Sequence, residues 1–537
     1  MKNNFDHIEN RQIIEDKKRQ DSFSFSTISF CDEVELTTNQ ANRTPKHDYN
    51  NIISSTVENR EDQATTETWS DDEEMRKTKK ILIRKLDFHL LPLLSITYLL
   101  SYLDRSNIAN AKLGGLVEET HLSSEQYQWS LSIFFFGYVL FEVPSNIILR
   151  RWRPSRWISL IMLAWGVIAV SLAAIKNFAG LLVCRFLLGI FEAGLFPGLI
   201  YFMSLWYPRK EQAIRLGFFW SFSALAGAFG GLLAFGIGQI KSSTLSQWQL
   251  IFLIEGIPTI IVAVCCFFFL PDSPEHARFL NSKERDIEIR RMNDDGGASI
   301  NHSFAWSQVW SVFTDWKTFI YSIIYITGTI PLQAVTLFLP SIIHGMGNWT
   351  TVQTQLMTIP PYIIAFIAIL IVSRSSDYFI ERSFHLILIN LFSMCGLLLL
   401  MFIEQQHVNI LYMSIVFLTA GTYANVSIKV AWFNNNFASL TRRAVASAVI
   451  VSIGSIGGVI SGQIYQDKQK PRYFLGNTIA FSCVALQTIL IIILRFIFIY
   501  INHRRQILND DEKQQQIQRY GGIQLIGDRH PDFRYTL

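Results

Sequence analysis

Long apolar runs, each close to the length of a membrane-spanning helix, recur along most of this chain between short polar stretches. A bilayer core of about 30 Å requires roughly 20 apolar residues per helix. That length predicts twelve spanning helices, near residues 86–106, 127–149, 157–175, 179–205, 213–238, 250–270, 317–343, 355–373, 384–403, 409–430, 444–463 and 474–501. The pattern therefore indicates an all-α, polytopic membrane protein.

A charged stretch at 271–316 divides these segments into six and six. A cluster of three glycines also recurs at a constant offset of 227 residues, with Gly227, Gly230 and Gly231 corresponding to Gly454, Gly457 and Gly458. Small residues at this spacing let helix backbones approach closely, so we expect them to form packing contacts. Two pseudosymmetric six-helix bundles that rock about a central solute site, the major facilitator fold, are the simplest explanation.

These observations predict five regions. They are a disordered cytoplasmic tail at 1–79, a six-helix bundle at 80–270, a cytoplasmic loop at 271–316, a second bundle at 317–501 and a cytoplasmic tail at 502–537. Loops after even-numbered helices are rich in arginine, which favours a cytoplasmic location for them and for both termini. The sequon at Asn348 then faces outward. Without a cleavable signal segment, we expect the plasma membrane, with the vacuolar membrane as the alternative.

Composition excludes several classes of function. Half of the residues are hydrophobic and the formal net charge is only +4, with basic residues scattered among loops, so a nucleic-acid partner is not expected. The six cysteines lack metal-ligand spacing, and no phosphate-binding loop, nucleophile elbow or metalloprotease motif occurs. We therefore predict no enzyme activity, no metal and no cofactor.

Charged residues within the apolar segments mark candidate sites, because ionised groups are costly in a membrane and usually serve a polar solute. Arg185 and Glu192 are two helical turns apart, which places them on one face about 10 Å apart along the axis. An arginine can clamp a carboxylate, and a glutamate in a low dielectric can exchange a proton. The predicted substrate-binding residues are Arg105, Arg185, Asn107 and Asn425, and the predicted proton-coupling residues are Asp104, Glu192 and Glu142.

Other charges admit simpler interpretations. Arg185 could pair with Glu192, Asp104 or Glu142 merely to hold the first bundle together. Glu142 lies near a predicted inner helix end, which also suits a cytoplasmic gate. We predict that Asp87, Asp377 and Arg151 belong to such a gate, with membrane topology as the alternative for the arginine. Lys429 is expected to extend to the membrane interface.

Three motifs resemble those of the fungal allantoate permease group in the anion:cation symporter family. They are Leu86–Pro92 with Tyr102–Ala111, the arginine-to-proline signature Arg185–Pro197, and Leu270–Glu275. The resemblance covers about residues 80–510. It implies proton-coupled symport of a small organic anion, as in carriers of allantoate, nicotinate, pantothenate and biotin. The sequence of the first helix is most similar to nicotinate and similar vitamin or monocarboxylate permeases.

The chain departs from this family in its seventh segment. The animal vesicular branch has an arginine there, whereas Ile330–Gln333 is uncharged, which favours a single carboxylate over a multiply charged substrate. The prediction is thus a secondary active transporter whose partners are a small organic anion, protons and the lipid bilayer. The alternative is a nutrient sensor on a transporter scaffold, favoured only by the long N-terminal tail.

Overall fold

The structure, a computed structural model, describes residues 49–240, 244–294, 306–438, 440–519 and 527–537. Within these residues, twelve helices are long and apolar enough to cross a membrane. We number them α1 to α12: Tyr49–Leu113, Ser124–Arg151, Pro154–Ser171, Phe178–Glu192 with Leu195–Ser204, Arg209–Gly238, Gln247–Phe269, Trp316–Met346, Thr351–Met357 with Ile359–Phe379, Ser383–Phe402, Val408–Asn435, Leu440–Ile464 and Phe474–Ile507. All twelve predicted segments are found.

Local sequence explains several helix boundaries. Ser123, Ser246 and Thr350 each form a capping box with a glutamine three residues later, which begins α2, α6 and α8. Reciprocal bonds of this kind satisfy backbone N–H groups that have no partner inside the helix. Pro154 begins α3, where its missing N–H costs nothing.

The predicted non-membrane regions contain more helix than expected. Helix α1 begins at Tyr49, so part of the tail predicted as disordered is helical, while residues 1–48 lie outside the described part of the chain. Of the described residues, 49–77 belong to a unit separate from Thr78–Leu537. The central loop contains the helices Ser282–Asp294 and Trp306–Phe313, and the C-terminal region contains Asp510–Arg519.

The repeated glycines pack helices at corresponding places in the two halves. A Cβ on Gly230 would lie 3.2 Å from Leu103 of α1, and one on Gly457 would lie 2.9 Å from the Ile326 carbonyl oxygen of α7. The third pair joins the halves: a Cβ on Gly231 would lie 2.3 Å from Thr358 of α8, and one on Gly458 would lie 2.2 Å from Phe135 of α2. These contacts have the packing role predicted from the repeat.

We use two names for the ends of the membrane-spanning bundle. The basic face is the end that carries Arg151, Arg382 and Arg443, and the opposite face is the end that carries Lys112 and Asp467. Because successive helices alternate in direction, the arginine-rich loops after even-numbered helices all lie at the basic face.

The end of the chain packs on the basic face of the C-terminal half. Asp528 is fully buried and pairs with Lys317 and Arg442, while Asp315 accepts a second bond from Arg442 at 2.8 Å. Tyr535 stacks on Phe498 of α12, with ring centroids 4.5 Å apart.

The last two residues add backbone contacts to this packing. The Thr536 carbonyl oxygen accepts a bond from Trp432 Nε1 at 2.9 Å, and the Leu537 carbonyl oxygen accepts one from the Arg382 N–H at 2.7 Å. This part of the region predicted as a tail is therefore part of the folded bundle.

Candidate transport site

A cavity of about 300 Å³ lies between the two halves and extends from the basic face toward the middle of the bundle. Near the basic face it is lined by Asn146, Tyr207, Asp377 and Arg382. Most of its wall is apolar or aromatic, with contributions from α2, α4, α5, α8, α10 and α11. A concave, largely apolar space with a few polar groups is typical of a small-molecule site.

The cavity ends in a smaller space of about 50 Å³ near the centre of the bundle. Phe196, Trp220, Val426 and Val451 line both spaces, so the small one is the deep end of the large one. The deep end is lined from the N-terminal half by Tyr98, Arg105, Phe135 and Tyr138, and from the C-terminal half by Tyr325, Thr329, Leu332, Gln333 and Ser455. Both halves therefore face one solute position.

Arg105 provides the charge at the deep end. Its guanidinium pairs with Glu192 of α4, and Glu192 also accepts a bond from Ser101 Oγ at 2.7 Å. The rings of Tyr102, Phe134 and Tyr138 surround the guanidinium, with centroids 5.2, 5.3 and 5.2 Å away. Aromatic rings and one carboxylate thus hold a cation that still faces the cavity, a geometry suited to an anion.

Arg185 lies elsewhere. It is fully buried, donates from Nε to the Ser130 carbonyl oxygen at 3.4 Å and lies 5.0 Å from the Phe134 ring centroid. Within the described residues its terminal nitrogens have no hydrogen-bond partner, and it does not line the cavity. The structure therefore joins Glu192 to Arg105 and not to Arg185, whose pairing with Glu192 was one of the alternatives that the sequence left open.

Asp104 points away from Arg105 toward α3 and α6. It accepts bonds from Trp165 Nε1 at 3.2 Å and from Thr259 Oγ1 at 2.9 Å. One turn before Thr259 is Glu255, which is fully buried and whose carboxylate oxygens have no partner among the described residues. The sequence analysis missed Glu255, although an acid inside the predicted segment 250–270 is the signal that identified the others.

In the C-terminal half three buried amide side chains form a hydrogen-bonded network. Asn425 Nδ2 donates to Asn390 Oδ1 at 2.7 Å, and Gln487 Nε2 donates to the Ile324 carbonyl oxygen at 2.9 Å. Asn390 also donates to Thr488 at 3.0 Å. Asn425 therefore lies in a network that joins α9, α10 and α12, one residue before the cavity-lining Val426.

The remaining predicted residues have various positions. Asn107 and Glu142 are buried without hydrogen-bond partners within the described chain and do not line the cavity. Asp87 pairs with Arg215 at 2.6 Å, and Asp377 pairs with Arg382 at 2.5 Å.

Each of these pairs joins two residues of the same half, so neither ties the two halves together in this structure. Arg151 is exposed at the end of α2.

Contacts between the halves close the opposite face. Lys112 of α1 pairs with Asp467, in the α11–α12 connection, at 3.0 Å, and Ser124 donates to the same carboxylate at 3.1 Å. Deeper, Ser132 of α2 donates to the Val459 carbonyl oxygen at 2.9 Å. Below this seal Gly231 lies close to Thr358 and Gly458 lies close to Phe135, so the two halves meet at the opposite face while the cavity lies toward the basic face.

Twelve apolar helices around a central cavity between two halves are the architecture of a membrane transporter. The model of the Major Facilitator Superfamily matches residues 94–462, and the chain belongs to this family. The predicted fold class is thereby confirmed, as is the broad prediction of a multi-pass membrane transporter.

Two fungal relatives are similar over most of their length. The MFS transporter prlL of Fungal sp. (strain NRRL 50135) is 37% identical over 425 residues, which cover 76% of this chain and 86% of that protein. The major facilitator-type transporter hxnP of Emericella nidulans is 33% identical over 473 residues, which cover 86% of this chain and 94% of that protein. Both names agree with the family and the transporter class.

Solved structures show the same fold. A bacterial homologue of the human lysosomal transporter Spinster, inward-facing and unoccupied, has a TM-score of 0.55 and 14% identity, covering 75% of this chain and 94% of that one. The xylose transporter XylE from E. coli, in a partially occluded inward-open conformation, has a TM-score of 0.55 and 13% identity. The match covers 74% of this chain and 96% of that one.

Proposed function

We propose that this transporter moves a small organic anion together with protons. The observation that supports the proposal is the Arg105–Glu192 ion pair, which lies beside the deep end of the cavity between the halves. An arginine there can bind a carboxylate, and the largely apolar walls lower the local dielectric, which strengthens the attraction.

Proton coupling follows from competition for Arg105. Glu192 occupies the guanidinium in this structure, so an incoming carboxylate must share it or displace Glu192. Displacement leaves a buried carboxylate without its cation, which is costly unless Glu192 takes up a proton. Binding of the anion and binding of a proton to Glu192 therefore favour each other. The anion and the proton then cross the membrane together with little net change in buried charge.

The direction of transport depends on orientation. We propose that the basic face is cytosolic, because short arginine-rich loops remain on that side. The structure then corresponds to a state open to the cytosol, and uptake starts from a state in which the Lys112–Asp467 seal has opened. The plasma membrane is the proposed location.

Uptake assays test the function. Radiolabelled nicotinate, pantothenate, biotin and allantoate are supplied to cells that lack their own carriers, with and without this chain, at acidic and neutral external pH. We expect saturable uptake of one compound that is faster in acid and abolished by a protonophore. A chain that is present at the cell surface, binds one of these solutes and produces no flux would contradict the proposal and favour the sensor.

A further inference from the structure

A buried lysine in the C-terminal half has no counter-charge. Lys429 of α10 is 1% exposed, and among the described residues its Nζ has neither a hydrogen bond nor an ion pair. It lies 4.2 Å from the centroid of the Tyr325 ring of α7. The sequence analysis expected this side chain to extend to the membrane interface, and in the structure it does not. An ammonium group without an anion in such a place is costly, which points to a functional role.

Helix α7 makes room for this ammonium group at Gly328. A Cβ at residue 328 would lie 2.7 Å from Lys429 Nζ and 2.3 Å from Gln487 Nε2, so a larger residue would displace both. The stretch Ile330–Gln333 of the seventh helix has no charge, but the helix admits the lysine of α10 through the gap at Gly328. The absence of charge in that stretch is therefore no argument against a second cation near the solute position in this half.

The aromatic ring that contacts the ammonium group also lines the solute position. Tyr325 lines the deep end of the cavity together with Arg105 and Gln333. Val426, one turn before Lys429 on α10, lines both parts of the cavity. Rotation of the Tyr325 side chain would uncover Nζ toward the space that Arg105 faces from the other half.

We propose that Lys429 is the anion-binding residue of the C-terminal half, and that the substrate carries two acidic groups. One group binds Arg105, and the second binds Lys429 after the Tyr325 ring turns aside. The second ion pair neutralises the isolated ammonium group and draws the two halves together around the solute. This inference rests on the proposed anion transport, and it replaces the single carboxylate favoured by the sequence with a dianion.

Matched monoacids and diacids test the inference in the full-length protein. Uptake and competition are measured with nicotinate against dinicotinate and with butanoate against butanedioate. In the wild type we expect the diacid of at least one pair to have the lower KM. Lys429→Met should raise that KM about tenfold or more, because a buried ion pair is lost, and should change the KM of the matched monoacid much less.

Control variants separate binding from packing. Lys429→Arg keeps the charge and should retain the diacid preference, whereas Gly328→Ala displaces the ammonium group and should weaken it. Surface amount and thermal stability of each variant are measured in parallel. If Lys429→Met does not reach the surface, the wild-type diacid preference and the Lys429→Arg and Gly328→Ala variants still test whether Lys429 binds the second acidic group.

The possible outcomes distinguish this inference from the proposed function. Wild-type uptake of a monoacid with no preference for its diacid overturns the inference and leaves anion transport standing. Equal effects of Lys429→Met on both acids also overturn it and assign the lysine to packing. No transport of any acid removes the proposed function and the inference with it.

Discussion

The two halves of this transporter have matching helices but different buried chemistry. The N-terminal half buries ionisable groups near mid-helix, namely Asp104, Arg105, Arg185, Glu192 and Glu255. The C-terminal half buries amides there, with Asn390, Asn425 and Gln487 hydrogen-bonded to one another or to the backbone, and it buries one ammonium group nearby, that of Lys429. A repeat that keeps the glycine contacts of both halves has therefore kept the architecture while the chemistry diverged.

The C-terminal half has its own charged cluster, but in a different place. Asp315, Lys317, Arg442 and Asp528 meet at the basic face, remote from the deep end of the cavity. Every member of the cluster has a partner of opposite sign within it. By contrast, Arg185 and Glu255 of the N-terminal half and Lys429 of the C-terminal half have no ionic partner among the described residues. Complete pairing suits a structural role, and incomplete pairing suits groups that change partners during transport.

The largest expected effect is on the Arg105–Glu192 pair. Arg105→Gln leaves Glu192 buried without its cation and removes the proposed anion contact, so the uptake rate should fall roughly a hundredfold or more. Asn390→Ala is the matched change in the C-terminal half and should lower uptake by less than about tenfold, because a neutral hydrogen bond is lost. Initial rates, corrected for surface amount, provide the measurement. Equal losses would remove the distinction between the halves.

The next largest effect is on stability through Asp528. Asp528→Asn leaves Lys317 and Arg442 underpaired in a buried site, and the free energy of unfolding should fall by about 3 kcal/mol. The free energy and its pH dependence are measured by denaturant unfolding of purified protein in detergent. Asn509→Ala, at an exposed position beyond α12, is the control and should have little effect.

The pH dependence of this cluster has a definite sign. Burial opposes ionisation of Asp528, but Lys317 and Arg442 outweigh burial and hold the pKa of this carboxyl group below its usual value. Its contribution to stability is therefore fully present above the unfolded aspartate pKa of about 3.9 and is lost as pH falls through the lower, folded pKa. In Asp528→Asn this part of the acid sensitivity should disappear. An unchanged profile would show that the cluster does not stabilise the fold.

A smaller effect is expected at the paired glycines Gly231 and Gly458. A methyl group on either one meets an atom of the other half at 2.3 or 2.2 Å, so alanine should weaken the seal at the opposite face by about 1–3 kcal/mol. Labelling of a cysteine placed at Thr329, from each side of the membrane and with the native cysteines replaced, measures the shift. Gly236→Ala is the control, because its Cβ meets nothing within 4 Å. A shift for only one glycine would show that the halves seal unequally.

The smallest expected effect is at the Lys112–Asp467 pair. Burial opposes ionisation of Asp467, but Lys470 and Lys112 outweigh it and lower the pKa of the carboxyl group. Because the pair is partly exposed, Asp467→Asn should favour the state open at the opposite face by less than about 1 kcal/mol.

The same labelling assay detects this shift, and acid on that face should reproduce it only below the usual aspartate pKa. Charge reversal of Lys112 together with Asp467 should restore the seal. Failure to restore it would assign the closure to the glycine contacts alone.

The sequence was sufficient for the parts of the molecule that depend on residue type and spacing. Apolar length determined all twelve helices, and the glycine repeat indicated the pseudosymmetric halves. The rule that charge inside a membrane is costly identified Arg105 and Glu192 before their contact was known. These features are local or periodic, so each can be seen without knowing which helices are neighbours.

Only the tertiary structure decided which buried groups meet. It paired Glu192 with Arg105 of another helix, brought Asp104 to Thr259, one turn from the buried Glu255, and packed Lys429 against the Tyr325 ring. It also returned Asp528 to the start of α7, 211 residues earlier in the chain at Lys317. Partners of this kind depend on helix rotation and packing distance, which a pattern along one helix does not contain.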